Sequence, residues 1–223
     1  MSERIMQSRD RSANWHYLTR TWVGQDPFAV ARAAGEALHP GMQLSPYEAY
    51  LLQWLVRISD ARHILEIGSF AGYSACWLAG GLPASGTLTT LEKQPAHATL
   101  ARTHTQHDTR IHVVAADAHD WLKAYRGTGF DFLFIDGEKR RYGDYLDAAL
   151  PHLTPDAWIV ADNTLLFGAM AGIADRNIAP ETIAAMQHFN ARLADARYFE
   201  SVLLPTAEGL TVARRRNHAL GTQ

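Results

Sequence analysis

The chain lacks most of the features that mark secreted, membrane-spanning or nucleic-acid-binding proteins. Cys76 is its one cysteine in 223 residues, which excludes an intrachain disulfide and a cysteine-built zinc site and fits a reducing cytoplasm. Its place in the helical run YSACWLA reads as a core thiol rather than a nucleophile. No stretch approaches the roughly 18 apolar residues of a membrane span, and the polar start MSERIMQSRDRSANW has no signal-peptide core. An excess of charge of one sign is missing too. The formal net charge is −2, so no global field draws the protein to nucleic acid or an anionic surface. Repeats and low-complexity linkers are absent, and Gly and Pro fall singly between periodic segments, as they do within one domain.

The periodicity has two parts. Residues 13–38 and 46–59 read as helices, the second opened by Ser45 as N-cap with Pro46 behind it. From residue 63, short apolar runs (HILEIG, TLTTLE, IHVVAAD, FDFLFID, WIVADN) alternate with helical stretches, including a crossover helix over 142–152, and YFESVLLP with GLTVARR closes the pattern. This predicts an α/β fold: a doubly wound, mostly parallel sheet of seven strands, with an antiparallel hairpin at its C-terminal edge and the N-terminal helices covering one end. Ligands of such sheets bind outside the carboxyl ends of the strands.

The residues with chemistry fall at those ends. Gly68 and Gly72 in LEIGSFAGYS allow a sharp turn and close approach of a ligand. Phe70 occupies the second glycine position of a dinucleotide fingerprint, which disfavours a pyrophosphate and with it an NAD-dependent oxidoreductase. Glu66, Glu92 and Asp117 end three successive strands, and this recurrence points to an adenosine-type ligand, with Glu92 on the ribose hydroxyls, Asp117 near the adenine amine and Ala118 beside the ring.

Asp136 and Asp162-Asn163 end two further strands. Two carboxylates and an amide, with no His or Cys, are a donor set for a hard divalent cation: Mg²⁺ first, with Ca²⁺ or Mn²⁺ as alternatives. Lys139 lies three residues after Asp136, where burial and a nearby cation would lower its pKa and suit it to general-base work.

These segments resemble the metal-dependent class I O-methyltransferases that use S-adenosylmethionine, the family of catechol and caffeoyl-CoA O-methyltransferases and many bacterial relatives. The resemblance runs from about residue 41 to 216, through GMQLSPYEAYLL, LEIGSFAGYS, LEK, FDFLFIDGEKRRYGDY, ADNTLLFG, HFN and LPTAEGLTVARR. It implies a Rossmann-like methyltransferase domain, with residues 1–60 as a helical cover and 61–216 as the S-adenosylmethionine-binding core. It further implies that Leu44, Glu66, Gly68, Ser69, Ser74, Glu92, Asp117, Ala118, Asp136 and Glu138 line the cofactor site. Asp136, Asp162 and Asn163 would hold the metal, with Lys139 as the base. A homodimer in the cytoplasm is also implied. The chain departs from the family at Glu138, Leu166 and Phe167, which argues against an acyl-CoA ester as acceptor.

The expected function is methyl transfer to a hydroxyl of a small phenolic or catechol-like acceptor. The alternatives are methylation of a hydroxylated wobble uridine in tRNA, with Lys139, Arg140 and Arg141 and the terminal arginines on phosphates, and a non-catalytic S-adenosylmethionine-binding scaffold. Arg214-Arg215-Arg216 reads as a solvated tail, His104 and His107 as a solvated helix face, and Asn190 as a packing amide or a substrate contact. Trp15, Tyr17 and Trp22 read as core packing, a pocket wall or a dimer contact.

Overall fold

Strands covered on both faces are apolar throughout rather than alternating. HILEI and FDFLFI have this character, and both are buried over nearly their whole length in the computed structural model, which describes residues 11–173 and 177–216. The seven strands are β1 (His63–Ile67), β2 (Thr87–Glu92), β3 (Ile111–Ala115), β4 (Phe130–Ile135), β5 (Leu153–Ala161), β6 (Phe199–Leu204) and β7 (Leu210–Arg215). They form one sheet in the order β3-β2-β1-β4-β5-β7-β6, parallel from β3 through β5 and antiparallel at the β5–β7 and β7–β6 pairings. The doubly wound sheet with its C-terminal edge hairpin is thus as expected from the sequence.

Eight helices are described: α1 (Arg11–Leu18), α2 (Ala29–Leu38), α3 (Pro46–Ile58), α4 (Tyr73–Gly81), α5 (Pro95–Thr105), α6 (Ala118–Ala124), α7 (Tyr142–Ala149) and α8 (Pro180–Leu193). Alternate residues of β4 feed the two faces. Leu133 and Ile135 join Tyr142, Leu146 and Phe189 in one core, and Phe132 and Phe134 join Leu52, Tyr73 and Leu78 in the other. No helix among the described residues is long and apolar enough to cross a membrane.

Three sequence expectations are corrected here. Helix is not continuous over 13–38: a π turn over Thr19–Val23 closes at Gly24, whose φ of 66 suits glycine, and Pro27 cannot donate to a resumed ladder. The crossover helix stops at Ala149 because Pro151 turns residues 150–152 into a short 3₁₀ segment. Arg214-Arg215-Arg216 is no solvated tail. β7 runs to Arg215, whose Nη1 lies 3.4 Å from the Leu150 and Leu153 carbonyls, and Arg216 Nε donates to Phe199 O at 3.3 Å.

The topology aligns the strand ends. The chain leaves β3 at one edge and returns as β4 on the other side of β1, so a crevice opens between the carboxyl ends of β1 and β4. Backbone bonds extend the ladder by one residue there. Gly68 N donates to Leu91 O at 2.9 Å, Asp136 N to Ile67 O at 2.9 Å and Asp162 N to Ile135 O at 3.1 Å. Gly68, Asp136 and Asp162 therefore stand in one row.

Candidate active site

The turn after β1 is shaped by backbone conformation. Gly68 has φ 105, and a Cβ there would lie 2.2 Å from Asp136 O, so only glycine lets these two strand ends close up. Phe70 has φ 43, a left-handed conformation that an aromatic residue adopts at a cost of about 1 kcal/mol or more. Its amide donates to Glu92 Oε2 at 2.9 Å, which helps hold it there. Gly72 (φ 81) starts α4, and Ser74 in the first helical turn donates its hydroxyl to Glu66 Oε1. Glu66 is fully buried and its Oε2 has no hydrogen-bond partner. Burial pushes its carboxyl up to about 7, against the pull of the Ser74 and Thr90 hydroxyls.

The other candidates around this turn separate. Glu92, buried, also accepts from Gln94 N at 2.8 Å. Ser69 is buried and bonded to the Thr90 hydroxyl. Leu44 is buried in the core that contains Tyr73 and Trp77, and Ala118 in the opposite one. Asp117 is engaged already: it caps α6 through His119 N and meets Arg141 at 2.7 Å, which holds its carboxyl below the usual carboxylate range. Glu138 is half exposed and pairs with Arg140 at 3.1 Å.

The second corner is built from charge. Lys139 Nζ donates to Asp136 Oδ1 at 2.7 Å and to the Tyr142 hydroxyl at 3.0 Å, and Tyr142 in turn donates to the Asp162 backbone carbonyl at 3.0 Å. Asp162 Oδ1 is buried without a hydrogen-bond partner. Burial, and then the charge of Asp136, push the Asp162 carboxyl well above the usual range, against the opposing effect of Lys139. For Lys139, burial favours the neutral amine, but Asp136, Tyr142 and Asp162 outweigh it and hold the ammonium above its ordinary value. The lowered value expected from the sequence presupposed a neighbouring cation, whose charge would oppose that of these carboxylates.

Asn163 follows at φ 56, a conformation asparagine tolerates better than most residues. The loop is anchored from the far edge of the sheet: Thr164 N and Oγ1 both donate to Gly209 O, and Thr211 Oγ1 donates to Thr164 Oγ1 at 2.9 Å. Among the described residues no group of three or more His, Cys, Asp and Glu side chains is arranged to hold a metal. What the corner offers is the carboxylates of Asp136 and Asp162, the latter with a buried oxygen that has no hydrogen-bond partner.

A family model described as O-methyltransferase matches residues 29–216, which hold all seven strands and every described helix but α1. The chain belongs to the O-methyltransferase family. A catechol O-methyltransferase of Niastella koreensis is 31% identical over 226 residues, spanning 96% of this chain and 99% of the relative. Another, of Mycobacterium tuberculosis, is 37% identical over 164 residues, 71% of this chain and 74% of that one. The solved O-methyltransferase from Bacillus cereus in complex with SAH matches with a TM-score of 0.81 at 28% identity, covering 92% of this chain and 97% of that chain. The Rossmann-like sheet is shared with it.

Within this O-methyltransferase fold, several contacts at the site had no sequence signal. Tyr142 links Lys139 to Asp162, and Arg141, a phosphate contact under the tRNA alternative, is bound to Asp117. His104, expected on a solvated face, places Nδ1 2.8 Å from Ala71 O and so props the glycine turn. Asn190 Nδ2 donates to Thr164 O at 2.8 Å while its Oδ1 is buried and unpartnered. Tyr17 and Trp22 are half exposed and pack edge-on against each other, so neither is core, whereas Trp15 packs on Tyr47. Cys76 is buried, and its thiol is pushed up to about 12 by burial, as a core thiol should be.

Proposed function

We propose that this chain transfers a methyl group from S-adenosylmethionine to a hydroxyl of a small phenolic or catechol-like acceptor, with the help of a divalent cation. The observation that carries this reading is the corner where Asp162 keeps a buried, unpartnered oxygen beside Asp136 and Lys139. Hard oxygen donors fit Mg²⁺, Ca²⁺ or Mn²⁺, and Asp136, Asp162 and Asn163 would hold the ion. The unpartnered Oε2 of Glu66 likewise fits a ligand that donates a hydrogen bond at the end of β1. SAH in the Bacillus cereus structure supports the methyl donor, since it is what remains of S-adenosylmethionine after transfer. The two catechol O-methyltransferases support the acceptor class.

When bound, the cation would acidify an acceptor hydroxyl and the sulfonium would supply the methyl group. The chain's own part is positioning and proton handling. Glu66, Ser69, Ser74, Glu92, Asp117 and Ala118, with Leu44 behind them, border the donor's place. Lys139 takes the hydroxyl proton as general base. It can do so only when the negative charge of Asp136 and Asp162 is offset, because those carboxylates keep it protonated. Proton acceptance is thereby tied to a filled acidic corner. Tyr142 keeps the amine from swinging away.

The exposed Tyr17, Trp22, Trp54 and Ile58 of the N-terminal part support a homodimer, and the single buried thiol fits a cytoplasmic location. The test is methyl transfer to catechol with and without a divalent ion, for the native chain and Asp136→Ala. Metal-stimulated turnover that the variant loses is expected. Turnover indifferent to chelator would overturn the metal's role, and methylation of hypomodified tRNA alone would replace the phenolic acceptor.

A further inference from the structure

The first turn of α4 is gripped from two sides. Gly72 supplies no capping side chain, so the orientation of this turn depends on Tyr73 and Ser74. Ser74 reaches inward to Glu66. Tyr73, 1% exposed, reaches the other way, and its hydroxyl donates to Asp26 Oδ2 at 2.9 Å. Asp26 lies in the break between the π turn and α2. Its Oδ1 accepts from Phe28 N at 2.9 Å, as a loop aspartate commonly does, and Arg32 Nε donates to its Oδ2 at 3.3 Å. Beside it, Phe28 sets its ring edge-on to Trp77 with centroids 5.4 Å apart.

A phenylalanine at position 73 would fill the same apolar space against Trp77. The hydroxyl adds direction rather than buried area, and a bond to a carboxylate is among the stronger kinds. It joins the N-terminal cover to the helix whose next residue holds Glu66.

We propose that Asp26 is a positioning residue for the methyl donor: through Tyr73 it sets the first turn of α4, and with it the hold of Ser74 on Glu66. This rests on the donor reading given above. Its consequence is that the N-terminal cover, outside the strand-end site, tunes donor affinity without touching the acceptor or the acidic corner.

The experiment is calorimetric titration of the full chain with S-adenosylmethionine alone, for the native protein, Asp26→Asn, Tyr73→Phe and the double variant, with acceptor KM and thermal midpoint measured alongside. Each single change is expected to weaken donor binding about 5- to 10-fold, and the double change to lose no more than Asp26→Asn alone, since Tyr73→Phe deletes the bond to Oδ2 that Asp26→Asn already weakens along with the Arg32 ion pair. Acceptor KM should stay within about twofold. Should a single variant fail to fold, Asp26→Glu carries the same test by moving the carboxylate. Donor affinity unchanged while the thermal midpoint falls, or additive losses in the double variant, would overturn the proposal and leave a structural bond. A native chain that does not bind S-adenosylmethionine overturns the donor reading itself.

Discussion

The glycine turn after β1 and the acidic corner after β4 and β5 share one row of strand ends, yet they answer burial differently. In the turn, burial and, after it, the charges of Asp136 and Glu92 outweigh the Ser74 and Thr90 hydroxyls, no cation stands among these influences, and the Glu66 carboxyl rises to about 7. In the corner, two carboxylates surround an ammonium, and Lys139 stays charged although burial opposes it. The turn's shape comes from backbone conformations that few residues accept, at Gly68, Phe70 and Gly72. The corner's shape comes from a hydrogen-bonded chain of Asp136, Lys139, Tyr142 and Asp162. One region is thus sensitive to an added methyl group and the other to an added or removed charge.

Removing the charge at the corner should have the largest effect. Lys139→Met is expected to lower kcat on a catechol about 10²- to 10⁴-fold, the range for loss of a general base, while calorimetric affinity for S-adenosylmethionine stays unchanged. A loss under about tenfold would remove Lys139 from the proton-transfer role. Next comes the added methyl group. Gly68→Ala places a Cβ 2.2 Å from Asp136 O at a φ of 105, so it strains the turn and displaces the corner at once. A destabilisation above about 3 kcal/mol is expected from urea unfolding. A loss under about 1 kcal/mol would show that the two strand ends can slide apart, and that the regions are less rigidly joined than their contact implies.

Glu66 gives the comparison a pH dependence. Its carboxyl is raised from 4.5 to about 7, so the fold favours the protonated form. The stability this group contributes is fully present below pH 4.5 and is lost as pH rises through about 7. Glu66→Gln keeps the neutral shape and should flatten that slope by at most about 3 kcal/mol, as read from unfolding between acid and neutral pH without the donor. An unchanged slope would mean that the Ser74 and Thr90 hydroxyls already hold the carboxylate ionised.

Strand ends were legible in the sequence because they are local. An apolar run that stops at an acid names both the strand and the acid near its carboxyl end, and this located Glu66, Glu92, Asp136 and Asp162. The doubly wound, mostly parallel sheet followed from strand–helix alternation, which permits few topologies, whereas the place of β4 beside β1 is seen only in the structure. The partners of those acids were not legible, because they come from elements that only the folded sheet brings together. Arg141 meets Asp117 across α6 and α7, Asp26 meets Tyr73 across the break before α2, and Thr164 meets Gly209 across the edge hairpin. The charges around Lys139 were hidden for the same reason. Burial was visible in the pattern, but the two carboxylates and the phenol that outweigh it belong to three different segments.

The smallest effect tests whether a charge pair at the rim behaves like the buried corner. Arg141 meets Asp117 with two nitrogens, at 2.7 and 3.3 Å, and its guanidinium lies 5.1 Å from the centroid of the Tyr145 ring. Lysine keeps the charge but not the two-pronged geometry, so Arg141→Lys should cost about 1 kcal/mol of stability at neutral pH. Because Asp117 is held below its ordinary value of 3.8, the stability it contributes is present above that pH and fades as pH falls further. The native protein and Arg141→Lys should therefore converge in unfolding midpoint on acidification below about 3.8. A gap that persisted in acid would assign the loss to packing on Tyr145 instead, and the pair would then resemble the glycine turn, held by shape, more than the acidic corner.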